Sequence, residues 1–159
     1  MDNDQQFEFQ RLFPNLQWEV VMKMDDRELV NLCRSSHAME NFCNTRGWFW
    51  KNRIGSQFGI DPSDPTIQTI LTNNGGNWFR VYFVLVQLNK LKEISPHLDR
   101  YSLTDLYNLQ ELYLYNNQLT EVPREIGNLT NLLNLVLDDN QLTDPTSIKQ
   151  WLPNVNLYL

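Results

Sequence analysis

The sequence predicts a fold of class α + α/β, in which an N-terminal helical region precedes a short array of parallel β-strands with irregular or helical return segments. Three observations predict it. Apolar residues in 12–54 recur at helical spacing. Residues 109–131 are repeated in 132–154 with the same order of leucines, a period of 23 residues. Between the two regions, 55–76 is rich in glycine and proline, which is typical of a connection.

Size and charge limit the functions that the chain can have. Its 159 residues, 42% of them hydrophobic, suffice for one domain or two small ones. The net charge is −6, so the sequence has no basic footprint for nucleic acid or anionic lipid. No apolar run approaches the roughly 18 residues that cross a bilayer. We therefore expect neither nucleic-acid binding nor membrane binding.

The first residues and the cysteines bear on where the protein is found. Residues 1–10 are polar and acidic, so we expect a flexible N-terminus and no targeting sequence. Cys33 and Cys43 are too few for a disulfide framework and are not spaced as CxxC. We interpret them as reduced thiols in an intracellular protein, and we expect a cytoplasmic location.

Short helices account for the N-terminal region. Pro14 opens a first helix, and "MDDREL" supplies an acidic start to a second, with Asp25 or Asp26 as its N-cap. "NFCN" belongs to a third helix, and "GWFWKNRI" closes the core. The apolar residues expected in these helices are Leu16, Val20, Val21, Met24, Leu29, Leu32, Cys33, Phe42, Cys43, Trp48, Phe49, Trp50 and Ile54.

Residues 61–76 are interpreted as a linker in which "PTIQTIL" forms at most a helical turn or two. The next segment, 77–108, has two interpretations. Asn77 can cap a helix whose apolar residues recur at helical spacing. Alternatively, 81–98 is a degenerate first repeat with Val81, Val84, Val86, Asn89 and Leu91 at the template positions. We favour the helix, and either element would cover the N-terminal edge of the strand array.

The repeats at 109–159 follow the pattern L-x-x-L-x-L-x-x-N-x-L. This pattern is identified as the leucine-rich repeat signature, which forms a solenoid. The L-x-L alternation makes a short strand with leucines inward, and the asparagine satisfies backbone groups where the chain leaves the strand. "LPNVNLYL" begins a third copy, so we expect Leu157 and Leu159 to enter a third strand.

Side chains that alternate with the leucines point outward and align from one repeat to the next. Aromatic residues beside carboxylates suit protein recognition, because the rings supply apolar area and the charges select a partner. We therefore predict a partner-binding face. Its residues are Glu111, Tyr113, Tyr115, Asn134, Val136, Asp138 and Tyr158.

The order of features over about 10–60 is similar to the F-box domain: a hydrophobic-Pro entry, an acidic turn before "ELVNLC", then "FC" and "FWKNRI". It most resembles the F-box-like domains of marseillevirus-like giant DNA viruses of amoebae. The resemblance implies an F-box-like domain at 11–60 that binds the Skp-family adaptor of a cullin ubiquitin ligase in the host cytoplasm. The residues it implies for adaptor binding are Pro14, Leu16, Val20, Met24, Leu29 and Leu32.

No catalytic motif is present. The chain has no Gly-rich phosphate loop, and neither His37 nor His97 lies in a metal-ligand pattern. We expect no catalytic residue, metal or cofactor, and predict a substrate-recognition subunit that binds an adaptor and a target. The alternative is a leucine-rich repeat scaffold without a ligase role. The last repeat's uncapped edge predicts self-association or pairing with another protein.

Overall fold

A computed structural model describes residues 20–21 and 23–159. Pro14 and Leu16 of the predicted adaptor site lie outside the described residues. No helix within the described part is both long enough and apolar enough to span a membrane.

The described part begins with a group of three helices, α1 (Asp26–Arg34), α2 (His37–Asn44) and α3 (Gly47–Phe58). Asp25, one of the two predicted N-caps, starts α1 with a capping box. Its carboxylate accepts a hydrogen bond from the Glu28 N–H at 2.8 Å, and its own N–H donates to the Glu28 carboxylate at 3.1 Å. The helical prediction for this segment is therefore confirmed.

The two cysteines join α1 to α2. Cys33 and Cys43 form a disulfide with their Cα atoms 5.8 Å apart, and both are buried. The expectation of reduced thiols is therefore wrong for this structure. The reason is the tight turn at Ser35 and Ser36, which brings the inward positions of the two helices within bonding distance.

Helix α4 (Pro65–Asn73) lies within the segment 61–76 that the sequence analysis interpreted as a linker. The Asp64 carboxylate caps it, accepting from the Thr66 N–H at 2.7 Å. Ile67 and Ile70 are fully buried in the core. Most of the segment is thus a packed helix and not a linker, because two isoleucines three residues apart cover one helical face.

Helix α5 (Trp78–Ile94) decides between the two interpretations of 77–91. Asn77 caps it by accepting from the Phe79 N–H at 3.0 Å, as the helix interpretation predicts, and the first-repeat interpretation is wrong. The helix contacts α3, α4 and the return segment of the repeats, so apolar residues are needed on several of its sides. Its fully buried residues are Val81, Tyr82, Leu85, Leu88 and Leu91.

A polar cluster fastens α5 to the first helices. The Tyr82 hydroxyl donates to the Asp26 carboxylate and accepts from Arg53 Nε at 3.0 Å. Arg53 also donates to the Met24 carbonyl at 2.8 Å, and Gln57 donates to Asp26. Burial and the hydrogen bond to Asp26 raise the pKa of Tyr82. These bonds fix the relative positions of α1, α3 and α5.

The strands follow a 3₁₀ turn (Pro96–Leu98) and helix α6 (Leu103–Asn108). They form a parallel sheet in the order β1-β2-β3, and their return segments are a 3₁₀ helix and the short helix α7. The bounds are β1 Glu111–Tyr113, 3₁₀ helix Arg124–Asn128, β2 Asn134–Val136, α7 Ile148–Trp151 and β3 Asn156–Tyr158.

Leucines of the repeats point inward as predicted. Leu112 and Leu135 are fully buried, and Leu157 in β3 is half-buried. Leu159 instead follows β3 and is exposed, so its predicted place in the strand is wrong. The buried residues form one cluster that runs from Val21 to Val155, so the helices and the repeats share a continuous core.

Asn140 confirms the predicted role of the repeat asparagine. Its amide nitrogen donates to the Leu137 carbonyl at 2.7 Å and to the Leu114 carbonyl of the preceding repeat at 2.8 Å. Its amide oxygen accepts the N–H groups of Asn117 and Leu119, each at 3.0 Å. The side chain therefore pairs backbone groups that the turn would leave without partners.

Candidate protein-interaction face

Three parallel rows of side chains make up the outward side of the sheet, which we call the strand face. Strand register places Glu111 beside Asn134 and Asn156 in the first row. The second row is Tyr113, Val136 and Tyr158, and the third is Tyr115 with Asp138, where the Asn116 N–H donates to the Asp138 carbonyl at 3.0 Å. The predicted alignment of outward residues is thus present.

The first row is hydrogen bonded along its length. Asn156 Nδ2 donates to Asn134 Oδ1 at 3.0 Å, and Asn134 Nδ2 donates to Glu111 Oε1 at 3.4 Å. The Tyr113 hydroxyl donates to Glu111 Oε2 at 2.6 Å. This bond and the Glu111 charge raise the pKa of Tyr113, so the hydroxyl stays protonated and the ring stays neutral.

The second row supplies the apolar part of the face. Tyr113 and Tyr158 of this row are 50% and 49% exposed, and Tyr115 of the third row is 61% exposed, which is high for large aromatic residues. A shallow cavity of about 330 Å³ lies over the rows. It is lined by Glu111, Tyr113, Asn134, Val136, Asp138 and Tyr158.

Sequence reasoning placed six cavity-lining residues on this face and missed one neighbour. Asn156 extends the first row, but it was not predicted, since the entry of the third copy, "LPNVNLYL", has one residue fewer than the matching "LTNLLNLVL". Asn156 lies two residues before Tyr158, so strand alternation places the two side chains on the same face. Tyr115 was predicted and is exposed on the third row, outside the cavity lining.

Left-handed residues turn the chain away at the end of the strand face. Asn116 has φ 53° and Asp139 has φ 58°. Asparagine and aspartate tolerate this region better than other non-glycine residues. The turns keep Tyr115 and Asp138 directed outward at the rim of the face.

Four of the residues implied for adaptor binding are described by the structure, namely Val20, Met24, Leu29 and Leu32. Leu29 and Leu32 are buried in the core and cannot contact a partner in this structure, which corrects that prediction. Their helix packs with its apolar side inward because α2 covers it. Val20 is 37% exposed and Met24 is half-buried, so these two are the described candidates.

A larger groove of about 820 Å³ is lined by residues of α1, α5 and the return segments of the repeats. Its Glu125 carboxylate accepts from Lys90 Nζ at 2.8 Å, which lowers the pKa of Glu125. Its Asp26 is engaged by Tyr82 and Arg53. No group of His, Cys, Asp and Glu among the described residues could hold a metal ion.

Comparison with known proteins identifies the strand-bearing segment. A family model described as Leucine Rich repeats (2 copies) matches 107–150. Residues 107–150 are leucine-rich repeats. A search of curated proteins and a search of solved structures gave no match. Leucine-rich repeats generally bind proteins, so the chain carries a protein-interaction module.

Proposed function

We propose that the strand face of the leucine-rich repeats is the surface that binds a protein target, and that the chain is not an enzyme. The observation that carries this proposal is the alignment of exposed tyrosines with carboxylates across three strands. Aromatic residues are enriched at protein interfaces because they bury much area at low entropic cost.

Site-specific photo-crosslinking tests the face. A benzoylphenylalanine at Tyr115, on the third row, should crosslink a protein from amoebal extract. The same group at Arg124, whose exposed side chain lies on a return segment, serves as the control. Equal yields from both positions would contradict the assignment of the strand face.

The more specific proposal, which the resemblance supports, is a substrate-recognition subunit of a cullin ubiquitin ligase in the cytoplasm of a virus-infected cell. The helices α1 to α3 would bind a Skp-family adaptor, and catalysis would belong to the partners. Val20, exposed next to α1, is the described residue best placed for this contact.

Direct binding to a purified Skp-family adaptor tests the ligase role. Wild type should bind at micromolar concentration, and Val20→Asp should weaken binding because it puts a charge into an apolar contact. Glu121→Gln, an exposed change in the repeats, is the control. Leu29→Asp is unsuitable, because this buried leucine would disrupt the fold. Absence of wild-type binding would reject the ligase role, but it would not bear on the proposal that the strand face binds a protein.

A repeat scaffold without a ligase role is the second candidate. Two observations favour it: Leu29 and Leu32 are buried, and α5 shares one core with the repeats. In this interpretation the helices cover the N-terminal end of the strand array, which repeat proteins need for solubility. The Cys33–Cys43 disulfide also favours an oxidising environment over the cytoplasm.

Self-association through the sheet edge is a further part of the proposal. β3 pairs with β2 on one side, and no strand in the described part of the chain pairs with its other side. An open edge offers backbone groups to another strand. Light scattering should show dimers at high concentration, and a strict monomer would reject self-pairing.

A further inference from the structure

We propose that the strand face binds a basic segment of its protein partner and holds an arginine side chain in the cleft between Tyr113 and Tyr158. This inference rests on the proposed function of the face and adds the chemistry of the partner.

The cleft has two aromatic walls and a smaller floor. Val136 separates Tyr113 from Tyr158 in the second row, so the tyrosines stand on strands two apart. Two strand spacings put their Cα atoms about 9.6 Å apart. A cation over Val136 therefore lies about 5 Å, one strand spacing, from each tyrosine-bearing strand, which is comparable with the roughly 6 Å over which a cation is attracted to an aromatic face.

The charge around the cleft is uniformly negative. Segment 109–159 contains six acidic residues but only two basic ones, Arg124 and Lys149. Both basic residues lie on return segments, in the 3₁₀ helix and in α7. Among the described residues no lysine or arginine lines the cavity, whereas Glu111 and Asp138 do. A cationic side chain is consequently the charged group that the face attracts.

The carboxylates of Glu111 and Asp138 differ in their hydrogen bonds. Glu111 already accepts hydrogen bonds from Tyr113 and Asn134. Asp138 is a half-buried residue, and its carboxylate has no hydrogen bond or ion pair with any residue that the structure describes. A carboxylate without a partner can accept a charge-assisted bond from a guanidinium without losing another one.

Arginine fits this arrangement better than lysine. Its planar guanidinium stacks on aromatic rings and donates two parallel hydrogen bonds to one carboxylate. Between Tyr113 and Tyr158 it can use both properties, with Asp138 at the end of the cleft. Lysine offers a compact and more strongly hydrated charge, so it should bind more weakly.

Calorimetric titration with short peptides tests the inference. The probes are acetylated, amidated pentapeptides of sequence Gly-Leu-X-Leu-Gly, in which X is Arg, Lys, Gln or Glu. We expect the order Arg, Lys, Gln, Glu, with Arg about 10-fold tighter than Gln. Absence of binding by the Arg peptide up to about 5 mM would overturn the inference, as would equal affinity for Arg and Gln.

Matched variants assign the binding to the cleft. Asp138→Asn should weaken the Arg peptide by about 5–10-fold and leave the Gln peptide unchanged. Glu121→Gln, which removes a carboxylate of the same repeats outside the cavity, should change neither. If Asp138→Asn and Glu121→Gln reduce the affinity for the Arg peptide equally, net charge alone attracts the peptide. That result would overturn the inference.

A combined comparison separates this inference from the proposed function. If Tyr113→Ala with Tyr158→Ala abolishes the crosslink from position 115 while Asp138→Asn leaves it unchanged, the face binds a protein without selecting a cation. The inference then fails and the proposed function stands. If neither variant changes the crosslink or the Arg-peptide affinity, both fail.

Discussion

The helical region at 20–108 and the strand-bearing region at 109–159, most of which the leucine-rich repeat match covers, use their apolar residues in different ways. In the helical region, residues suggested for partner binding, such as Leu29 and Leu32, are buried. In the repeats, Tyr113 and Tyr158 are exposed on the predicted side of a strand. Strand alternation divides side chains between two faces, whereas a helix packed by several neighbours buries more than one side.

This difference concerns function as well as packing. The repeats hold their recognition residues on a sheet whose interior leucines are already buried. The helices must both build the core and supply any docking surface, so fewer residues remain for contact. Substitutions in the two regions should therefore separate stability from binding.

Leu29→Ala should show the largest effect. It leaves a cavity in the helical core and should lower the free energy of unfolding by about 2–5 kcal/mol. Val20→Ala, a change of an exposed residue close in sequence, should stay within about 0.5 kcal/mol. Urea denaturation followed by circular dichroism measures both. Similar midpoints for the two variants would contradict the burial difference on which the comparison rests.

The sequence permits more of the repeats to be predicted than of the helices. The 23-residue period sets the neighbour of each outward residue, so the sequence alone predicts Tyr113 beside Val136. The disulfide could not be predicted, because it depends on how α1 turns into α2. Helix α4 was missed because its short apolar pattern lies between prolines and glycines and gains its stability from tertiary packing.

Asn140→Ala tests the repeats and should have the second-largest effect on the free energy of unfolding. Removing the amide leaves four main-chain partners unpaired, namely two carbonyls and two N–H groups within 3.0 Å. We expect a loss of about 2–4 kcal/mol in the free energy of unfolding.

Asn117→Ala is the matched control. Its amide donates to the Tyr115 carbonyl at 3.3 Å, and α6 rather than another repeat lies before its strand in the chain. We expect a loss below about 1 kcal/mol. A loss equal to that of Asn140→Ala, measured by urea denaturation, would show that the asparagine acts within its own repeat and does not need a preceding one.

Reduction of the disulfide, which links α1 to α2, should have the third-largest effect. Opening the link between Cys33 and Cys43 should lower the free energy of unfolding by roughly 2–3 kcal/mol, because the unfolded chain loses a constraint. The measurement is urea denaturation with and without reductant. The double variant Cys33→Ala with Cys43→Ala should not respond to reductant, and mass spectrometry that finds two free thiols in the untreated protein would restore the original expectation.

The smallest effect that still distinguishes the regions comes from removing single tyrosine hydroxyls. Tyr82→Phe should lower the free energy of unfolding by about 1–2 kcal/mol at neutral pH, because its hydroxyl bridges Asp26, Gln57 and Arg53. Tyr113→Phe, with its hydroxyl exposed on the strand face, should leave the urea midpoint unchanged.

The free energy of unfolding should depend on pH differently in wild type and in Tyr82→Phe. Burial raises the pKa of Tyr82 in the folded chain, whereas a tyrosine of the unfolded chain titrates near pH 10. The folded state therefore retains a proton that the unfolded state releases, so this stabilisation is complete below about pH 10 and is lost as the pH rises above it. Wild type should lose stability above pH 10 more steeply than Tyr82→Phe. Parallel slopes for the two proteins would show that the buried hydroxyl is not the group that ties α1 to α5.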